Sequence, residues 1–281
     1  MKYIKLIIGF VFAGLFFWLA FQRTSFQQLS DVYSAGDKKQ ILAAVIVFLL
    51  GYAARTRRWQ VMLQRENSQL TFWACVGPLF ASFAGNNVLP FRAGDLIRTF
   101  AFNKRLHVSA GTVVASMVLE RLLDLLMIVA ILGSVLLWLE LDIRHLLPVS
   151  GVAVSAVAGG ILLVIKFPRI FRGITLKFSK RVGSILPGLG KTLDNVSAQA
   201  FDTLEAMSKG CTMLKLIFWS FWAWLLEGSV YWLVAQSLPS LEVPLAAWLA
   251  LPVGNLATLI PSTPGYVGTF DYFILQSMTF M

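Results

Sequence analysis

Apolar residues along this chain of 281 fall in long blocks, at 6–21, 41–54, 70–91, 108–139, 146–165, 216–238 and 243–260, with a last one at 266–281. Blocks of this kind read as helices made for a hydrocarbon core about 30 Å thick, at roughly 1.5 Å of rise per residue. The charges between them predict orientation. Lys2 and Lys5 place the N-terminus inside. The stretch 55–69 holds Arg55, Arg57, Arg58 and Arg65 against Glu66, a balance of +3. The stretch 166–209 holds eight Lys/Arg against Asp194, Asp202 and Glu205, a balance of +5. Both read as cytoplasmic loops by the positive-inside rule. The short stretches 140–147 (Glu140, Asp142, Arg144) and 239–244 (Glu242) are slightly acidic, as expected outside.

Lys104 and Arg105 also look cytoplasmic, yet one apolar block, 70–91, separates them from the loop 55–69. A full crossing there would put everything downstream on the wrong side, so the block predicts a re-entrant hairpin. Residues 70–85 descend about 24 Å. Residues 86–93 break the helix with Asn86, Asn87 and Pro90, and 94–107 climb back. The pattern recurs near the C-terminus and enters from outside: a leg at 245–260, a breaker carrying Pro261, Pro264, Gly265 and Gly268, and a return at 269–281. Non-helical backbone at membrane depth survives only where protein or a wet cavity satisfies it. Paired interrupted segments in two halves point to a midplane binding site between inverted repeats.

The expectation is a single all-α, polytopic membrane domain over 1–281, with about six spanning helices plus two re-entrant hairpins. Repeat one is 1–139, and repeat two, 146–281, is inserted in the opposite sense. Two short spans in place of the second hairpin are the alternative. The helix 108–139 has no counterpart in repeat two, which predicts a shortened chain or a last helix supplied by a partner. Within the cytoplasmic segment 167–209, Leu193, Val196, Ala200, Leu204 and Met207 recur at helical spacing opposite Asp194, Asp202 and Glu205. That reads as an amphipathic helix lying on the membrane surface. Its basic lead-in (Arg169, Arg172, Lys177, Lys180, Arg181) favours anionic lipid.

Composition agrees. Hydrophobic residues make up 57% and charged ones 14%, with a mean hydropathy of +0.73; a soluble domain has about 25% charged residues. The net charge of +10 sits in loops beside apolar blocks, so it reads as a topology signal and not as a nucleic-acid surface. Residues 1–21 imitate a signal peptide but lack a small-x-small cleavage site, and read as an uncleaved first helix. A multi-pass protein of the cell membrane with a cytoplasmic N-terminus follows. Cys75 and Cys211 belong to no CxxC, and His107 and His145 lie far apart, so neither a disulfide framework nor a metal site is expected, and no cofactor is. The tryptophans, among them Trp18, Trp219, Trp224 and Trp248, fit interfacial belts and helix packing.

Six charges threaded through the apolar blocks carry the chemistry: Arg92, Asp95, Arg98, Glu120, Arg121 and Asp124. Ionised groups inside lipid cost several kcal/mol, roughly 2.5–3.5 each on insertion scales, and persist mainly where they pair or line a cavity. Gly94-Asp95 opens a helix whose first-turn N–H groups are unpaired, with Arg92 before it and Arg98 one turn on. Two guanidinia above a helix start form a phosphate cradle; an intrahelical Asp95–Arg98 ion pair is the structural alternative. Glu120 and Asp124 share a face, and Arg121 reaches Asp124 at i,i+3. These carboxylates hold Arg92 or Arg98 in position, bind a coupling proton or cation, or complete an electroneutral network. Glu227, near mid-bilayer, lacks a local partner, and Asp271 past the second breaker is its expected companion, with Asn255 capping or lining the same cavity.

These residues are similar to a known pattern. Pro90-x-Arg92-x-Gly94-Asp95-x-x-Arg98, Ser109 with Ala115, Glu120-Arg121-x-x-Asp124 and Pro264-Gly265-x-x-Gly268-x-x-Asp271 resemble the lysylphosphatidylglycerol synthase transmembrane-region family. This is a flippase-like membrane domain also present in hopanoid-associated and dolichol-linked glycosylation proteins. The resemblance implies a lipid-handling role, the movement of a phospholipid, aminoacylated lipid or polyprenyl-phosphate-linked lipid between leaflets. By motif position, Arg92, Asp95, Arg98, Glu120, Arg121 and Asp124, with Asn86 and Asn87 beside them, line a headgroup cavity. By the same resemblance Asp271 faces it from the second hairpin, whose cavity is also expected to hold Asn255, Pro264, Gly265 and Gly268, with Glu227 reaching it from the block 216–238. Tyr266 and Asp271 stand where the family often has a Gly-Gly pair and a Glu, and members usually continue past this motif. Synthase members also carry a cytosolic aminoacyl-transferase domain that this chain lacks, so lipid aminoacylation is not expected. With no GxxxxGK[ST] loop, transport runs downhill or on an ion gradient. The alternatives are an accessory subunit of a lipid-glycosylation or envelope-lipid machine, and an intramembrane lipid-phosphate transferase.

Overall fold

A computed structural model of the protein describes residues 26–88, 93–138, 151–166, 187–239, 241, 243–258, 266 and 268–279. The expected first helix at 6–21, the outer stretch 140–147 and the basic lead-in 169–181 lie outside them, as do Arg92, Pro264 and Gly265 at the two breakers. The described residues are helical, joined by turns: α1 (Phe26–Ala35), α2 (Lys38–Leu63), α3 (Phe72–Val88), α4 (Ala93–Ala101), α5 (Ala110–Trp138), α6 (Gly151–Lys166), α7 (Pro187–Met207), α8 (Gly210–Gln236), α9 (Ala246–Ala257) and α10 (Thr269–Thr279).

Two of these, α2 and α5, are long and apolar enough to cross a membrane. Large apolar side chains face outward along the bundle, including Leu42, Ile46 and Leu49 on α2 and Phe218, Phe221 and Trp222 on α8. In water such a surface would drive aggregation; in lipid it costs nothing. The protein is a helical membrane protein.

The sequence reading ends the second helix at Ala54 and assigns 55–69 to a cytoplasmic loop. That is corrected here: α2 runs on to Leu63 and carries Arg55, Arg57 and Arg58 within it. No Gly or Pro falls between 52 and 76, arginine is a good helix former, and acidic side chains on other helices neutralise two of these charges. Asp37 caps the start by accepting from the Lys39 N–H at 2.8 Å. The helix lies antiparallel to α8. Asp37 N donates to Ser237 O at one end (2.9 Å), and Arg65 donates to Ala206 O at the other (3.0 Å).

Between α2 and α5, the pair α3–α4 leaves one turn and returns to it. Gln60 and Gln64 both donate to Leu70 O where the segment begins, and Asn67 donates to Leu106 O where it ends. Glu66 then accepts from the backbone N–H and the hydroxyl of Ser109, which itself caps α5 through Thr112 N. An acid at a helix N-terminus also complements the helix dipole. The break between α3 and α4 comes later than expected: Asn86 and Asn87 are helical, because Asn86 bonds α4 with its side chain instead of ending α3. The two helices cross where glycines meet, and a Cβ on Gly94 would stand 2.0 Å from Ser82 O.

At the opposite end, α9 and α10 form a second packed pair, Gly254 lying against Ile274. The α9 helix also packs on α5 and α8, where Trp248 fills the notch above Gly228. A core of Trp59, Met62, Leu79, Leu119 and Leu123 ties α2, α3 and α5 together. The α7 helix has the predicted apolar face, but Ala200, Leu204 and Met207 are buried against the protein, with Thr203 beside Thr112 and Gln199 beside Gly111 of α5. This corrects the expectation of a helix lying on lipid, because packing on α5 already shields that face from water.

Candidate functional site

The turn-and-return of α3–α4 sets Asp95 and Arg98 beside the middle of α5, and the continuation of α2 brings Arg58 to the same place. Three arginines and three acids then alternate in a closed ring. Arg58 meets Asp124 at 2.7 Å, Asp124 meets Arg121 at 4.0 Å, and Arg121 meets Asp95 at 3.7 Å. Asp95 meets Arg98 at 3.9 Å, Arg98 meets Glu120 at 3.2 Å, and Glu120 returns to Arg58 at 3.8 Å. The ring sums to zero charge, which lets it sit in apolar surroundings where an unpaired ion could not.

Its members are held unequally. Arg58 and Arg98 are each 1% exposed. Arg58 also donates to Ser220 of α8, and Arg98 lies 5.2 Å from the Trp59 ring, a cation–π contact. Trp59 is fixed in turn by its indole N–H bond to Ser116. Asp124 accepts from the Trp224 indole N–H (3.0 Å), and Asp95 from Ser82 and Asn86 (3.2 and 3.0 Å). Both aspartates receive these bonds on Oδ1, and both turn Oδ2 toward Arg121. Arg121 is the outlier. Its side chain is 40% exposed, and neither carboxylate comes within hydrogen-bond distance of it.

Of the predicted residues, Asp95, Arg98, Glu120, Arg121 and Asp124 converge in the ring, and Asn86 supports it. Asn87 is exposed on α3 and stands outside. The second set disperses. Glu227 is not the companion of Asp271; it pairs with Arg55 at 3.0 Å, and Arg55 lies over the rings of Tyr52 and Trp224. Asp271 instead accepts from Gly268 N at 2.9 Å, closing the first turn of α10 from its third position. Gly268 has φ +86°, which a side chain would strain. Asn255 donates back to Leu251 O within its own helix at 2.9 Å. Tyr266, from the second breaker, lies within electrostatic reach of Arg121. Among the described residues, no three His, Cys, Asp or Glu side chains converge so as to hold a metal ion.

The sequence reading missed Arg58 and Arg55. Their signal was present: 55, 58, 59 and 62 continue the helical spacing of the preceding block, and Asp95, Glu120, Asp124 and Glu227 need more cations than Arg92, Arg98 and Arg121 supply.

Comparison with known proteins agrees with this architecture. The chain is 25% identical over 277 residues to the protein named glycosyltransferase AglD of Haloferax volcanii, an overlap of 87% of this chain and 44% of that protein. It therefore spans less than half of AglD. It is 27% identical over 193 residues to the UPF0104 membrane protein MJ1078 of Methanocaldococcus jannaschii, covering 68% of this chain and 76% of that one. No solved structure matches. The profile of the lysylphosphatidylglycerol synthase TM region matches residues 6–281, nearly the whole chain, and the chain belongs to that family.

Proposed function

We propose that the protein carries a phosphate-bearing lipid headgroup past the six-charge ring and so moves that lipid between leaflets. The observation that carries the reading is a buried, electrically closed ring with one guanidinium, Arg121, 40% exposed and, among the described residues, held by neither of its two carboxylates at hydrogen-bond distance. Arginine matches a phosphate's oxygens with a rigid fork of donors. In this reading α3–α4 and α9–α10 re-enter the membrane from opposite faces. The tie of both ends of α3–α4 to one turn, and the packing of α9–α10 from the other end, support it.

Reconstitution into liposomes containing fluorescent phosphatidylglycerol tests the reading. Wild-type protein should accelerate exchange of the probe between leaflets. Arg121→Ala should slow it by at least about tenfold, the loss expected for one charge-assisted contact. Equal rates for wild type, Arg121→Ala and Glu120→Gln would refute it.

A second reading, a membrane module serving a lipid-glycosylation machine, draws on AglD, of whose length the matched region is less than half. Co-purification of a stoichiometric protein partner in mild detergent would favour it.

A further inference from the structure

We infer that an anionic headgroup binding at Arg121 brings one proton with it, and that the proton goes to Asp95. The inference rests on the headgroup reading above and adds its coupling. The ring holds three guanidinia and three carboxylates, and the neighbouring Arg55–Glu227 pair is also balanced. A phosphodiester entering this set adds one negative charge. In apolar surroundings that excess is relieved by a counter-charge or by protonating a group already present.

Geometry selects the group. Glu120, Asp124 and Glu227 each have a guanidinium within 3.2 Å. Among the described residues, the nearest guanidinia to Asp95 are 3.7 and 3.9 Å away, on Arg121 and Arg98. When Arg121 turns to a phosphate, Asp95 loses the closer of the two. Among the described residues, what remains around it is Arg98 on its own helix, the neutral donors Ser82 and Asn86 on α3, and Glu120 across the ring, which is engaged with Arg98. The neutral donors both reach Oδ1, so Oδ2 is the atom that takes a proton from water. Asp124 also loses Arg121 but keeps Arg58 at 2.7 Å and the Trp224 indole.

Binding of fluorescent phosphatidylglycerol to the full chain in nanodiscs, measured from pH 5 to 8, tests this. Uptake of one proton on binding makes wild-type affinity fall about tenfold per pH unit across the range in which that uptake is complete. Phosphatidylcholine, whose headgroup carries its own positive charge, should show no such slope. Asp95→Asn keeps the size and the contacts to Ser82 and Asn86, and should bind phosphatidylglycerol tightly and without pH dependence. In weakly buffered solution, wild type should take up about one proton per lipid bound, a readout that needs no variant. Arg121→Ala binding as well as wild type would overturn the headgroup reading itself. Arg121→Ala binding weakly while Asp95→Asn keeps the full slope, or wild type taking up no proton, would overturn the coupling alone.

Discussion

Arg58 is held by partners on two other helices, and its removal exposes what the ring is worth. Without it, among the described residues Asp124 keeps the Trp224 indole, the distant Arg121 and the more remote charge of Arg55, and Glu120 keeps Arg98. Breaking a buried ion pair from one side costs about 3–5 kcal/mol, because the surviving charge is stranded. Arg58→Met should therefore lower the unfolding temperature in detergent markedly, and the double variant Arg58→Met/Asp124→Asn should recover part of the loss. Melting of Arg58→Met at the wild-type temperature would show the ring to be structurally idle. Residue type alone marked Glu120, Asp124, Asp95 and Arg98 as buried charges needing partners. Spacing also paired Asp95 with Arg98 and Arg121 with Asp124 within their own helices; the other partners stayed open, because they lie on helices distant in sequence: Arg58 is 66 residues from Asp124, and Arg55 is 172 from Glu227.

Between elements, glycines decide how closely helices approach. The Cβ of an alanine at 94 would press into backbone atoms of Ser82 and Asn86, which cannot yield without separating α3 from α4. Overpacking of this kind costs about 1–3 kcal/mol, and here it would also pull Asp95 away from the ring. Gly160 on α6 has nothing within 4 Å of its added Cβ. Gly160→Ala should be neutral or stabilising by up to about 1 kcal/mol through helix propensity. Thermal unfolding of the two variants side by side checks the contrast, and equal effects would mean that the α3–α4 crossing is looser than described. Chain breakers were legible as interruptions in the apolar blocks, but their positions were not. Asn86 and Asn87 looked like a helix end, yet Asn86 finds a partner across the crossing and α3 continues to Val88.

Across the whole molecule, the ties at the ends of the helices predict a labelling pattern. Ser68 and Lys104 are exposed at the end where Arg65 bonds Ala206, and Lys38 is exposed at the end where Asp37 bonds Ser237. In a Cys211→Ser background, with Cys75 buried, cysteines at 68 and 104 should react with an impermeant maleimide from one face of sealed vesicles. A cysteine at 38 should react from the other. Labelling of 68 and 104 from opposite faces would mean that α3–α4 crosses fully, and the hairpin arrangement would fail.

The amino-acid sequence by itself determined the solvent this protein is made for and the list of charges that had to be reconciled inside it. Long apolar blocks and the cost of burying ions are local properties, readable one segment at a time. The site motifs also carried the family resemblance. Tertiary structure alone decided which charges far apart in sequence meet. It drew Arg55 and Arg58 out of an expected loop into a helix, and gave Asp271 to its own helix start in place of Glu227. It also left Arg121 half free between two aspartates. The physical reason is reach: an ion pair forms within about 4 Å, and residues far apart in sequence come that close only through the packing of whole helices.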